Sequence, residues 1–125
     1  MKYLLDTNAL LWAMEKNPTL TEKASSAISN NDVYVSIASL WEIAIKLSIG
    51  KLDLTQTLDD IIEEMVVQDY RILPISVEAV RLVRTLPYHH RDPFDRVIIA
   101  QGLADSLRII TSDEKFDDYG VERYW

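Results

Sequence analysis

The chain has 125 residues, no cysteine and a formal net charge of -7. That length suits one domain, 1-125, with its own core, and the missing thiols exclude disulfides, thiolate metal sites and a cysteine nucleophile. The opening run Met1-Lys2-Tyr3-Leu4-Leu5 is too short for a signal peptide, and nothing approaches the ~18 apolar residues of a membrane span, so a cytoplasmic chain with no membrane partner is expected.

Tyr3 to Leu5 reads as a short buried strand ending at Asp6, followed by an apolar helical stretch from Ala9 to Met14 that Asn17-Pro18 breaks. A second helix is expected from Thr21 to Ser29, a turn at Asn30-Asn31-Asp32, and a strand at Val33-Tyr34-Val35. Ser36 suits the N-cap of a helix from Ile37 to Ile49. That helix is apolar almost all round, with Ser39, Glu42 and Lys46 on one narrow face, so most of it is expected to be buried. Gly50 ends it. Thr57-Leu58-Asp59-Asp60 resembles a capping signal for a helix to about Asp69, with its polar face outward. Ile72 to Ile75 reads as a third strand, Ser76 caps a helix to about Leu86, and Pro87 to Arg91 is a polar loop. Asp92 fits an N-cap and Pro93 the first helical position of a helix reaching Ser106. Arg108 to Thr111 is a fourth strand with Asp113 just beyond it, and Val121 to Tyr124 a last edge strand. Strands alternating with helices predict a three-layer α/β/α domain around a parallel sheet of four to five strands.

In such sheets ligands bind beyond the carboxyl ends of the strands, where Asp6 and Asp113 fall. Each acidic residue has a modest role available to it. Asp6 and Asp113 can cap the elements that follow, Asp95 can serve a capping box, and Glu42 can pair with Lys46 one turn on. Glu42 stands out, because it interrupts the most apolar helix and a glutamate is rarely buried without a partner. Were the four to converge, each like-charge pair at ~4 Å would cost about 4 kcal/mol at an effective dielectric of 20, a large part of a domain's net stability. A divalent cation offsets that repulsion. Oxygen-only ligands favour Mg2+ or Mn2+ over zinc.

The net charge of -7 argues against a nucleic-acid partner. Bound cations would cancel part of it, and Arg81, Arg84, His89, His90, Arg91 and Arg96, against only Asp92 and Asp95, read either as a local phosphate-facing patch or as an ordinary solvated surface. From that patch His89, His90, Arg91 and Arg96 are the candidate substrate contacts.

Asp6-Thr7-Asn8 after an apolar strand, Glu42 in an apolar helix, Asp92-Pro93-Phe94-Asp95-Arg96 with Ala100 five residues beyond Asp95, and Thr111-Ser112-Asp113 near the end together resemble PIN-domain nucleases. The motif order and short length resemble the VapC toxins of bacterial type II toxin-antitoxin pairs. The resemblance spans essentially the whole chain, and no acidic position departs from it. It implies Asp6, Glu42, Asp95 and Asp113 as the acidic metal site for Mg2+ or Mn2+, with Thr7 and Ser112 as supporting polar groups. Asp92 is read first as a helix cap, with a place at the metal's edge as its lesser role. The resemblance further implies an RNA substrate, a cognate antitoxin whose tail covers the site, and a homodimer. Metal-assisted attack of water in line at phosphorus, leaving a 5′-phosphate, is the expected chemistry.

Three other readings compete. A His89-His90 acid-base pair would act through the RNA 2′ hydroxyl without metal, but adjacent residues rarely flank one phosphate, and an exposed loop pair is expected instead. A Mg2+-dependent phosphoryl-acceptor or phosphatase domain also uses strand-end aspartates. It would want a second aspartate where Asn8 stands, or an acceptor aspartate in Leu73-Pro74-Ile75-Ser76, which has none. A non-catalytic binding module would leave the carboxylates as solvated caps.

Overall fold

The computed structural model describes residues Met1 to Trp125. Its centre is a five-stranded sheet of β1 (Lys2–Leu5), β2 (Asp32–Ser36), β3 (Arg71–Leu73), β4 (Arg108–Ile110) and β5 (Arg123–Tyr124), in the order β3-β2-β1-β4-β5. Every pairing is parallel, including that of β4 with β5. Parallel strands need crossovers, which six helices provide up to β4: α1 (Thr7–Glu15), α2 (Glu22–Asn30), α3 (Ile37–Ser48), α4 (Leu58–Val67), α5 (Val77–Thr85) and α6 (Pro93–Asp105). No helix is long and apolar enough to cross a membrane.

Side-chain alternation along the strands divides the core in two. Tyr3, Leu5, Val33, Val35 and Ile110 pack with residues of α1 to α4, among them Leu10, Ile28, Ile43 and Met65. Leu4 and Ile109 face the other way, onto Ala79 of α5, Ile98 and Ile99 of α6, and Phe116. The result is the expected three-layer arrangement, and its central strands, buried on both faces, read as unbroken apolar runs.

Helix starts follow the capping chemistry of the sequence. Thr21, Ser36 and Ser76 cap α2, α3 and α5, and Thr57 with Asp60 forms a reciprocal capping box at α4. Gln101, fully buried in α6, accepts from Ser36 Oγ at 2.5 Å and donates to the carbonyls of Leu73 and Pro74, joining the ends of β2 and β3 to α6.

Three expectations are corrected. The third strand stops at Leu73 rather than Ile75, since Pro74 lacks an N–H for the ladder. α3 is not mostly buried: Ile37, Trp41, Ile45 and Ile49 recur every fourth position as an exposed apolar stripe, with Trp41 58% exposed. Finally, Glu114–Tyr119 forms a 3-10 helix that was not anticipated, its Phe116 and Tyr119 turned into the core at a spacing of three.

Candidate functional site

The four carboxylates come together beyond the carboxyl ends of β1 and β4. Asp6 immediately follows β1, and Asp113 lies three residues past β4. Glu42 is carried by α3 from the end of β2, and Asp95 sits in the first turn of α6. All four interact electrostatically: the charges of Asp113 and Glu42 act on Asp6, and those of Asp92, Asp6, Glu42 and Asp113 act on Asp95.

Each modest role foreseen for Asp6, Glu42 and Asp113 is realised, yet Glu42 spends only one oxygen on it. Asp6 Oδ1 accepts the Ala9 N–H at 2.8 Å as a helix cap, while Oδ2 accepts the Thr111 hydroxyl at 2.5 Å. Glu42 Oε2 meets Lys46 Nζ at 2.7 Å, while Glu42 Oε1 is buried with no hydrogen-bond partner. Asp113 Oδ1 caps the 3-10 helix through the Lys115 N–H, and Oδ2 lies 2.8 Å from His90 Nε2. The same Nε2 is 3.0 Å from Asp95 Oδ2. Asp92 Oδ1 accepts the N–H groups of Phe94 and Asp95, so this side chain caps α6.

Gathering these groups has an electrostatic cost. Burial, reinforced by Asp113 and Glu42 and opposed by the bonds from Thr111 and Ala9, raises Asp6 to about 6. Burial is also the first cause at Asp95, with Asp92, Asp6, Glu42 and Asp113 adding to it, and lifts that carboxyl to about 8. Lys46 is raised by its bond to Glu42.

These residues fit a divalent cation. Glu42 Oε1 is a buried acceptor with nothing to accept from, the surrounding carboxyls resist ionising together, and the donors are mainly oxygens. His90, Asp95 and Asp113 also present ligand-type atoms within 4.8 Å of one another.

The remaining site candidates divide. Thr7 is buried and donates to Ser39 Oγ at 3.0 Å, linking the start of α1 to the face of α3 that bears Glu42 one turn later. Ser112 is exposed, and the supporting hydroxyl is its neighbour: Thr111 Oγ1 donates to Asp6 and accepts the Asp113 N–H at 3.0 Å. A β-branched hydroxyl residue directly after β4 was the available signal. Among the basic candidates, His89 and Arg91 are exposed, whereas His90 and Arg96 are buried and leave the expected patch. Arg96 turns inward and donates to four carbonyls, those of Val83, Leu86, Pro87 and His90, so its guanidinium clamps the loop rather than facing substrate. His90 is no exposed loop residue, and the two histidine rings diverge: His89 meets Tyr119 and His90 meets Phe116, each edge to face. A groove of about 590 Å3 between α1, α2 and α4 contains none of the four carboxylates.

Solved structures with the same architecture include VapBC2 from Rickettsia felis bound to a promoter DNA fragment, at 18% identity and TM-score 0.73, covering 100% of both chains. FitAcB from Neisseria gonorrhoeae matches at 21% identity and TM-score 0.69, covering 98% of this chain and 96% of the other. VapBC-1 from nontypeable Haemophilus influenzae matches at 21% identity and TM-score 0.67 with the same coverage. No curated protein matches the sequence. The PIN domain family model, however, matches residues 3–122, a span that contains β2, β3, β4, all of β1 but Lys2 and every acidic side chain of the cluster, and the chain therefore belongs to the PIN-domain family.

Proposed function

We propose that this protein is a metal-dependent endoribonuclease, the toxin of a type II toxin-antitoxin pair, in which Asp6, Glu42, Asp95 and Asp113 form the metal centre for Mg2+ or Mn2+. The observation that carries the reading is the unpartnered Glu42 Oε1, buried in a cluster of carboxylates where burial and neighbouring charges raise the proton affinity of Asp6 and Asp95. Such an arrangement is costly in the metal-free state and becomes favourable around a cation. Glu42, Asp6 and Asp95 would hold the ion and Asp113 would complete or orient the set. A bound divalent ion supplies activation of water and stabilisation of the departing 3′ oxygen.

The chain's own residues prepare that chemistry. Thr111 and the Ala9 N–H fix both oxygens of Asp6, and Lys46 turns Glu42 so that Oε1 is left free. Asp92 anchors the first turn of α6, and with it the backbone of Asp95. His89 and Arg91, exposed on the adjoining loop, are the candidates for contact with the RNA backbone.

The deciding experiment incubates total RNA with purified protein and Mn2+, with and without EDTA, beside Asp95→Asn. Metal-dependent cuts bearing 5′-phosphates are expected from wild type alone. Products ending in a 2′,3′-cyclic phosphate, or equal cutting by both proteins, would reject the reading. The antitoxin and homodimer assignments are supported by the exposed stripe of α3, since apolar area of that kind is suited to a protein partner, and the antitoxin also by the likeness to the VapBC2 and FitAcB structures named above. Light scattering of the chain alone and with the product of the neighbouring reading frame tests both. A cytoplasmic location accords with an RNA target.

A further inference from the structure

We infer that His90 is a positioning residue of the metal centre, its single Nε2–H bridging Asp95 and Asp113 and setting both carboxylates for the ion without itself binding it. The inference rests on the metal-centre reading above and adds a part to it. The ring is buried and held from several sides. Its Nδ1 accepts the Asp92 N–H at 3.2 Å, it packs edge to face with the Phe116 ring, and the backbone N–H of His90 donates to Tyr119 Oη at 2.6 Å. Its carbonyl accepts from Arg96 Nη1 at 3.2 Å.

The Nδ1 contact decides what Nε2 can do. A backbone N–H is a permanent donor, so Nδ1 must present its lone pair, and the neutral ring's one proton then belongs to Nε2. From there it reaches Asp113 Oδ2 at 2.8 Å and Asp95 Oδ2 at 3.0 Å. Ligation of a cation by Nε2 would need that lone pair instead. The proton would move to Nδ1, oppose the Asp92 N–H donor to donor, and both carboxylate bonds would be lost. Lys115 N–H already occupies Asp113 Oδ1, so the histidine fixes the last oxygen of Asp113 but only one of the two on Asp95. His90 thus links the loop that caps α6 to the 3-10 helix after β4, the two elements whose relative placement sets the distance between these carboxylates. Partners of this kind, one shell out from the ion, commonly govern affinity 10- to 100-fold.

The test compares wild type, His90→Gln and His90→Phe at pH 7.5, reading free Mn2+ by electron paramagnetic resonance and nitrogen coupling to bound Mn2+ by its pulsed form. Mn2+ affinity should fall about 10- to 100-fold in H90F and less in H90Q, whose amide can still donate to a carboxylate. Bound Mn2+ in wild type should show no directly coordinated nitrogen. A strong nitrogen coupling lost in H90F would overturn the inference in favour of ligation, and equal affinities in all three proteins, or equal weakening in both variants, would overturn it outright. Metal-free melting curves identify a variant that fails to fold. If H90F does so, the wild-type nitrogen spectrum and H90Q decide alone. Absence of Mn2+ binding by wild type at millimolar concentration would instead remove the metal-centre reading, and this inference with it.

Discussion

Asp95 and Arg96 are neighbours on the first turns of α6, and both bring a charge out of water, yet their surroundings are opposite. Arg96 spreads its donors over four backbone carbonyls and completes the loop from Val83 to His90. Asp95 meets one imidazole and several carboxylates, and its pKa of about 8 records the mismatch. A buried polar group stabilises a fold when its partners are supplied and weakens it when they are withheld. One region therefore holds the domain together, while the other is a site whose partner comes from outside.

The contrast is sharpest when Arg96 is removed. Arg96→Met keeps much of the apolar stem but leaves several carbonyls without donors, and should lower unfolding free energy by about 4 kcal/mol in urea. It should also loosen the loop that carries His90. A loss below about 1 kcal/mol would mean water satisfies those carbonyls and the clamp is dispensable.

Asp95→Asn should act in the other direction. Asp95 has a folded pKa of about 8 against an ordinary 3.8, and Asp6 about 6 against 3.8, so the folded protein binds more protons than the unfolded chain across that interval. Stability of the metal-free protein is then complete below pH 4 and declines as pH rises toward 8. The asparagine variant should be more stable than wild type by roughly 3 kcal/mol at pH 8 and by roughly 1 kcal/mol at pH 5, and should lose most of the rise in Tm on adding Mn2+. Chemical denaturation at the two pH values reads the first effect. A gain that does not grow with pH would show that Asp95 ionises freely in the folded protein.

On the satisfied side, Gln101→Leu tests the tie between α6 and the ends of β2 and β3. It leaves Ser36 Oγ and the carbonyls of Leu73 and Pro74 without the amide, and about 2 kcal/mol should be lost. The loss should be independent of pH between 5 and 8, unlike that at Asp95. A pH-dependent loss would mean the two networks are coupled through α6.

What the sequence disclosed and what it hid divide along the same line. Strand and helix order, the caps at Ser36, Thr57, Ser76 and Asp92, and the placement of Asp6 and Asp113 past strand ends follow from local periodicity and spacing. Partners distant in sequence do not. Thr111 reaches Asp6 across 105 positions, a contact that the β1–β4 register establishes, and His90 reaches Asp113 across 23 from the loop before α6. Arg96 reads as a surface cation beside its motif until the loop folds back over it. The stripe on α3 was misjudged because an apolar side chain has the same appearance in sequence whether it meets the core or a partner.

The smallest effect is expected at Thr111, and it probes the boundary between the two kinds of region. Its hydroxyl donates to Asp6 Oδ2 and accepts the Asp113 N–H, so it is the one neutral group that ties the strand-end carboxylates together from below. Thr111→Val keeps the β-branched shape but removes the donor, and a bond donated to the ionised carboxylate is among the causes that hold Asp6 down against burial. The Asp6 titration should therefore move above its present value of about 6, readable as the midpoint of its carboxyl carbon shift, with a loss of about 1 kcal/mol at neutral pH. The pH interval over which metal-free stability declines would widen upward accordingly. An unmoved or lowered midpoint would show that solvent replaces the threonine, and that Asp6 depends on burial and its neighbours' charges alone.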